Sequence, residues 1–522
     1  MHPRIHAQNR PDALALIMAG SGETVTYGEL EARANRGAHG LRALGIGIGE
    51  TIAVVCDNRP EFFDLFWATQ RSGITMVPVS TRLKCDEIAY IVEDSGAKVV
   101  LISEYLGETA QELAKLRASM PGLQDILAIG AIAGLPGWGE LTATQPAVPI
   151  ADEANGARMA YSSGTTGRPK GIKNVIPTAG TDPVQPQSGA LLFGKLYPFD
   201  ENTIYLSPAP LYHAAPMGFT TATQALGGTA VVMEKFDPEA FLALIERYKV
   251  TLTQVVPTMF VRMLKLPEEA RTMHDYSSLR AIIHAAAPCP VPVKQAMIAW
   301  LGPIIEEYYA GTEGGGFVTV SSAEWLERPG TVGRNRLGKI HICDDNGNEL
   351  PVGEIGTIYF SGGNDFAYHN AAEKTASAHN PLYRDWTTMG DVGRVDPEGY
   401  LFLADRKDFM IISGGVNIYP QEVENLLVTH PQVADVAVFG VPNAEFGEEV
   451  KTVVQPARWE DAGPALEQAL IDWCRERLAD VKCPRSVDFE QQLPRAETGK
   501  LYKRELRARY WPQPILIGDS PQ

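Results

Sequence analysis

The chain has 522 residues, too many for one hydrophobic core and suited to two or three packed subdomains. Hydrophobic residues make up 45% and charged ones 21%, the balance of a globular enzyme, and a formal net charge of −17 excludes a general nucleic-acid binder. An anionic ligand must therefore meet a local basic island, such as the C-terminal group of Arg495, Lys500, Lys503, Arg504, Arg507 and Arg509.

Cys56, Cys85, Cys289, Cys343, Cys474 and Cys483 stand far apart with no CxxC pair, which argues against a zinc site or disulfide framework and for a reducing compartment. The first apolar run, at 13–18, has no basic segment abutting it. No stretch approaches the roughly 18 apolar residues that a membrane span needs. The expected location is the cytoplasm, with peripheral membrane contact at most.

Apolar runs at 51–55 and 75–79 read as buried strands, with an apolar helix at 61–70 between them. Residues 86–95 put Ile88, Ile91 and Val92 on one helical face, and 98–102 reads as a further strand after Gly96. Strand–helix–strand units of this kind imply a largely parallel sheet covered on both faces.

Residues 161–171 read YSSGTTGRPKG. Gly164 and Gly167 let the backbone fold inward so that amides point into one concavity. Ser162, Ser163, Thr165 and Thr166 add hydroxyl donors, and Lys170 adds charge. Such a loop suits a polyphosphate. It is not GxxxxGK[ST], because the glycines are too close and Gly171 follows the lysine. A flexible linker is the alternative, against which Pro169 stiffens the segment.

The Pro/Gly-rich run 177–189 reads as a surface loop. His213, in the run Pro210 to Ala215, is a lone histidine, which is more often structural than functional. Ala285-Ala286-Ala287-Pro288 precedes a predicted helix. Residues 308–314 read YYAGTEG, where the Glu313 carboxylate suits a hard cation bridging phosphates. The competing reading is a glycine-rich turn after a buried strand, with Tyr308 and Tyr309 as core aromatics.

From about Leu337 the pattern changes to hairpins, with Asn346-Gly347 as one turn and residues 396–399 joining strands at 391–395 and 400–404. Asp391, in Met389-Gly390-Asp391, can accept two hydrogen bonds from a diol or can cap a turn. Beyond Asp408 a compact α+β unit is expected. It has a helix at 421–428, a strand at 433–441, and a helical stripe of Leu466, Leu470, Cys474 and Leu478. The boundary is placed there, giving domains 1–407 and 408–522. Residues 494–500 read PRAETGK, and a lysine on such a loop can reach across a domain interface.

Taken in order, these motifs resemble the adenylate-forming superfamily of acyl-CoA synthetases, peptide-synthetase adenylation domains and firefly luciferase. Within it the chain is most similar to bacterial fatty-acid or bulky-acid CoA ligases. The run 161–171 resembles the phosphate loop, 309–313 the YGxTE motif with Ala310 in place of glycine, 389–391 the TGD motif with Met389 in place of threonine, and 494–500 the PRxxTGK motif. Residues 404–417 resemble the hinge and the loop behind it. The resemblance spans Thr26 to Lys500.

It implies an α/β fold. A large N-terminal domain of parallel-sheet subdomains plus a β subdomain would carry a small mobile α+β C-terminal domain. The reaction implied has two halves: a carboxylate attacks the α-phosphate of ATP to give acyl-AMP and pyrophosphate, then the CoA thiol displaces AMP. Cofactors are ATP, Mg2+ and CoA. The partners are a small carboxylic acid with these two co-substrates, no nucleic acid and no integral membrane segment, and a homodimer is allowed.

By the same resemblance Ser162, Ser163, Gly164, Thr165, Thr166, Gly167 and Lys170 hold the phosphates, with Thr165 among the catalytic groups. Ala286, Ala287 and Pro288 line the adenine site, on which Tyr309 stacks beside Ala310 and Gly311. Thr312 meets the α-phosphate, Glu313 holds the metal, and Asp391 with Arg406 binds the ribose. Lys500 stabilises charge in the first step. His213 positions the acid in a pocket bordered by Ala214, Ala285, Gly314 and Gly315. Ser413, Gly414 and Gly415 face CoA, and Asp408 is the hinge. Small residues at the pocket imply a fatty, steroid side-chain or arylalkanoic acid. The rivals are an acyl-AMP ligase that loads a carrier protein, a luciferase-like oxygenase, and a non-catalytic nucleotide sensor.

Overall fold

The computed structural model describes residues 2–162, 169–173, 178–183, 188–363, 366–406, 409–495 and 501–511, and gives the backbone alone for 162, 173, 188–190, 405 and 406. In a seven-stranded sheet, Ala157–Ser162, Thr75–Val79, Thr51–Val55, Ala97–Ser103 and Asp125–Ile129 run parallel in that spatial order. Lys170–Lys173 and Ala367–Tyr368 extend one edge in antiparallel pairing. Strands 51–55 and 75–79 are buried at every position, as continuous apolar runs require when helices cover both faces.

A nine-stranded sheet has six parallel neighbours, from Ile305–Ala310 through Ala281–His284, Leu252–Val255, Ile204–Ser207 and Thr229–Val232 to Leu14–Met18. The run at 13–18 is thus a core strand. Between the two sheets lie the helices Tyr27–Ala43 and Pro60–Ser72, which share one apolar cluster with residues of both. The first starts at a capping box in which Thr26 and Glu29 satisfy each other's backbone amides. The second buries Phe62, Phe63, Phe66 and Trp67 in that cluster. The Trp67 indole donates to Gln224 at 2.7 Å, tying it to the helix Ala214–Leu226.

The hairpin region forms a four-stranded sheet of Lys339–Cys343, Gly356–Ser361, Asp391–Val395 and Leu401–Arg406. The turn at 396–399 closes with Gly399 at φ 82°. These three sheets build a large N-terminal domain. A small C-terminal domain follows, in which Val416–Ile418, Ile411–Ser413, Gly447–Pro456, Val433–Asn443 and Ser486–Phe489 form one sheet. Its core is covered by the helices Pro420–Leu427 and Pro464–Arg475.

Two expectations need adjusting. The helix Ser188–Leu196 begins inside the run read as a loop. The helix carrying Leu466, Leu470 and Cys474 ends at Arg475, so Leu478 joins that core from the following turn. Asp408 lies outside the described residues. Among the described residues no helix is long and apolar enough to cross a membrane.

Candidate active site

The candidate residues lie at strand ends. Ala157–Ser162 and Lys170–Lys173 form a hairpin with Ser162 opposite Lys170, so the phosphate-loop candidate leaves and re-enters at one point of the sheet edge. Ser163, Gly164, Thr165, Thr166 and Gly167 lie outside the described residues. The hairpin is braced from behind: the Tyr161 hydroxyl donates to Asp94 at 2.7 Å, on the last turn of the helix Cys85–Ser95. Burial and the Asp94 charge raise the Tyr161 phenol, which therefore stays protonated and donating.

Strands Ala281–His284 and Ile305–Ala310 run side by side into the second group. After His284 the strip turns sharply, with Ala286 at φ 75°, a left-handed conformation costly for an L-residue and typical of functional turns. Ala310 stays in the strand opposite Phe317 and needs no such angle, so alanine serves where the family motif has glycine.

Alternation along Ile305–Ala310 sends Tyr308 and Tyr309 to opposite faces. Tyr309 reaches Asp391, its hydroxyl donating at 2.6 Å. Asp391 stands opposite Arg406 in the antiparallel ladder, which places both ribose candidates at one sheet end. At Gly311 the Met389 side chain packs against the backbone, its sulfur lying 2.0 Å from where a Cβ would stand. The 309–313 and 389–391 motifs are therefore in direct contact. Glu313 is half-buried, and one of its carboxylate oxygens accepts a 2.9 Å hydrogen bond from the Tyr368 hydroxyl. Tyr368 pairs with Ile172, two residues past Lys170, so the metal candidate is tethered to the phosphate-loop hairpin. One carboxylate with a second oxygen available beside phosphates fits Mg2+, which takes one or two carboxylates and keeps phosphate and water oxygens.

Tyr308 turns the other way. It stacks on Phe317 with ring centroids 5.2 Å apart and meets Phe219 at 5.9 Å. Phe219 stacks on Phe193 at 4.3 Å and Tyr205 at 6.1 Å. His213, half-buried, is the N-cap residue of the helix that carries Phe219, and its ring lies 4.5 Å from that of Tyr212. Ala214 is exposed and Ala285 buried. The glycines of the pocket candidate are small for a reason the sequence did not reveal. A Cβ at Gly315 would meet Thr387 at 2.6 Å and one at Gly316 the Phe360 ring at 2.2 Å, so these positions admit packing instead of leaving volume.

Behind the strip is a buried ion pair. Lys294, fully buried on the helix Val291–Leu301, reaches Glu307 at 2.6 Å, and its ammonium lies 5.0 Å from the Trp325 ring centroid. Burial raises the Glu307 carboxyl while Lys294 opposes the rise. His284, in register with Glu307, is held neutral by burial and by the Lys294 charge.

In the C-terminal domain Ser413 pairs with Val416 across a two-residue turn. Gly414 and Gly415 there have φ of 57° and 81°, the angles that a tight hairpin demands of glycine. Lys500 lies outside the described residues. On either side of it in the sequence, Arg495 bridges to Leu501, and Tyr502 donates its amide to the Pro494 carbonyl. The sequence reading missed Tyr368, Asp94 and the aromatic wall behind Tyr308, because each acts through a contact between segments far apart in the chain.

The model of the AMP-binding enzyme family matches residues 4–367, and that of the AMP-binding enzyme C-terminal domain matches 422–500. The chain is 34% identical to a feruloyl-CoA synthase of an Amycolatopsis species, over 97% of this chain and 98% of the relative. It is 31% identical to the long-chain-fatty-acid–CoA ligase FadD13 of Mycobacterium tuberculosis, covering 97% of each. The solved structure of the anthranilate CoA ligase AuaEII in complex with anthranoyl-AMP matches with a TM-score of 0.83 at 26% identity, over 98% of this chain and 96% of that one.

Proposed function

The chain belongs to the AMP-binding enzyme family and is an AMP-forming acyl-CoA ligase that uses ATP, Mg2+ and CoA, and for it we propose a bulky apolar acid with an aryl group as substrate. The observation that carries this reading is the wall of Phe193, Phe219, Tyr308 and Phe317, of which Phe193 and Tyr308 are only partly buried. Tyr308 is the sequence neighbour of Tyr309, so one strand would separate an acyl face from a nucleotide face. Aromatic pairs contribute about 0.5–1.5 kcal/mol beyond area burial, which a planar acid can exploit and a saturated chain cannot. The likenesses to a feruloyl-CoA synthase and an anthranilate CoA ligase support the same class.

In the mechanism that follows, Tyr309 and Asp391 hold adenosine and the Ser/Thr loop with Lys170 holds the phosphates. Glu313, oriented by Tyr368, would hold Mg2+, which when bound supplies positive charge across the triphosphate. His213 positions the acid, whose carboxylate oxygen attacks the α-phosphorus as pyrophosphate leaves. Lys500 stabilises the negative charge that develops there. The C-terminal domain then turns about Asp408 so that the 413–415 hairpin faces CoA. The thiolate sulfur attacks the acyl carbon, and AMP leaves.

A substrate panel followed by pyrophosphate release tests the reading, using benzoates, cinnamates, arylalkanoates and saturated acids of 2 to 18 carbons. We expect the highest kcat/KM for an aryl acid. Acids of two to four carbons as best substrates would overturn the bulky-acid reading, because each buried methylene is worth about 0.8 kcal/mol. Long saturated acids as best substrates would overturn its aryl part.

A further inference from the structure

The geometry points to Lys265 as a positioning residue for adenylation: it latches the C-terminal domain to the N-terminal domain beside Arg495 and Leu501, the paired residues between which Lys500 lies in the sequence. Lys265 ends the helix Pro257–Leu264 of the N-terminal domain, and its ammonium donates to the backbone carbonyl of Val433, the first residue of the strand Val433–Asn443 in the C-terminal domain. Two residues on, Asp435 grips Arg495 through two hydrogen bonds, the Nη2–Oδ1 one at 2.7 Å. Arg495 in turn bridges to Leu501. A short and stiff path therefore runs from Lys265 through Val433, Asp435 and Arg495 to the residues that flank the segment 496–500.

The described residues beside that segment lie near the N-terminal domain. Tyr502, just past the loop, feels the charges of Arg82 and Glu87. Arg82 follows the strand Thr75–Val79, which is parallel to Ala157–Ser162, so it sits at the edge where the phosphate loop emerges. Val428 packs at once against the C-terminal core and the N-terminal cluster around Phe260 and Met263. Val428 supplies non-directional packing. Lys265 supplies a directed bond that a rotation of the domain must break.

This inference rests on the reading that Lys500 acts in the first half-reaction. The test measures the two half-reactions separately in the full-length enzyme: acyl-AMP by rapid quench, and thioester from supplied acyl-AMP and CoA. Lys265→Met keeps the stem and removes the donor, Lys265→Arg keeps a donor, and Lys500→Ala is the reference. A charged hydrogen bond of this kind is worth a factor of about ten or more. We expect Lys265→Met to slow acyl-AMP formation about tenfold with KM for ATP and acid unchanged. Thioester formation is expected to stay the same or quicken, and Lys265→Arg to restore most of the rate. If Lys500→Ala blocks acyl-AMP formation and Lys265→Met leaves it intact, the latch is overturned and the reading of Lys500 stands. An equal loss in both half-reactions, or a loss in thioester formation alone, overturns the latch as well. If Lys500→Ala leaves acyl-AMP formation intact, the reading of Lys500 falls and the latch with it.

Discussion

The Tyr309 hydroxyl and the Asp391 carboxylate, 82 positions apart, meet at 2.6 Å and join the end of the nine-stranded sheet to the start of a strand in the four-stranded sheet. The bond holds both ends of an adenosine site, the ring that would stack on the base and the carboxylate that would bind the ribose, in one rigid unit. Tyr309→Phe keeps the ring and removes this hydrogen bond, which to a charged acceptor is worth about 1.5–3 kcal/mol. KM for ATP is expected to rise about tenfold, with a fall of about a few degrees in the melting temperature. Steady-state kinetics at varied ATP check this, and an unchanged KM would refute the coupling.

Tyr368→Phe is expected to raise the Mg2+ concentration needed for half-maximal rate by about five- to tenfold, since the Glu313 carboxylate loses the donor that orients it. The ring keeps its edge contact with Phe366, so folding should be preserved. Mn2+ binding with a non-hydrolysable ATP analogue, followed by electron paramagnetic resonance, reads the same change without turnover. Equal metal affinity in both proteins would remove Tyr368 from the account.

Lys294→Met strands the Glu307 carboxylate in the core, and breaking one side of a buried pair costs about 3–5 kcal/mol. The melting temperature should fall steeply, and adding Glu307→Leu should recover most of the loss. Thermal unfolding of both variants decides it. A mild single mutant would mean that the pair is hydrated.

Asp64 supplies a pH test. Burial pushes its carboxyl up to about 7, with Arg33 opposing the rise from 4.0 Å. The folded pKa lies above the unfolded one, near 3.9, so folding favours the protonated acid. The penalty for charging it is absent below about pH 4, grows up to about pH 7, and is constant above. Asp64→Asn should therefore raise the melting temperature at pH 8 and give little gain at pH 4.5. Melts across that range test the sign, and an equal gain at both ends would contradict it.

Much of the site was legible in the chain because its chemistry depends on local backbone. The turn at 396–399 forms between the strands expected, with Gly399 at a left-handed angle. Continuous apolar runs at 51–55 and 75–79 could only be strands buried on both faces. The order of the motifs identified the reaction family, since each needs residue types at fixed short spacing.

Other features depended on segments far apart in sequence. Gly315 suggested empty volume, yet the Thr387 side chain stands where a Cβ there would point. Tyr368 belongs to none of the motifs, and only the fold places it on Glu313. Tyr308 and Tyr309, adjacent and chemically alike, were separable only once the strand's two faces had different neighbours. Spacing within a motif constrains a few backbone dihedrals, and the sequence by itself determined these. Which side chain fills a gap or orients a carboxylate depends on how independently folded layers come together, and only the tertiary structure decided that.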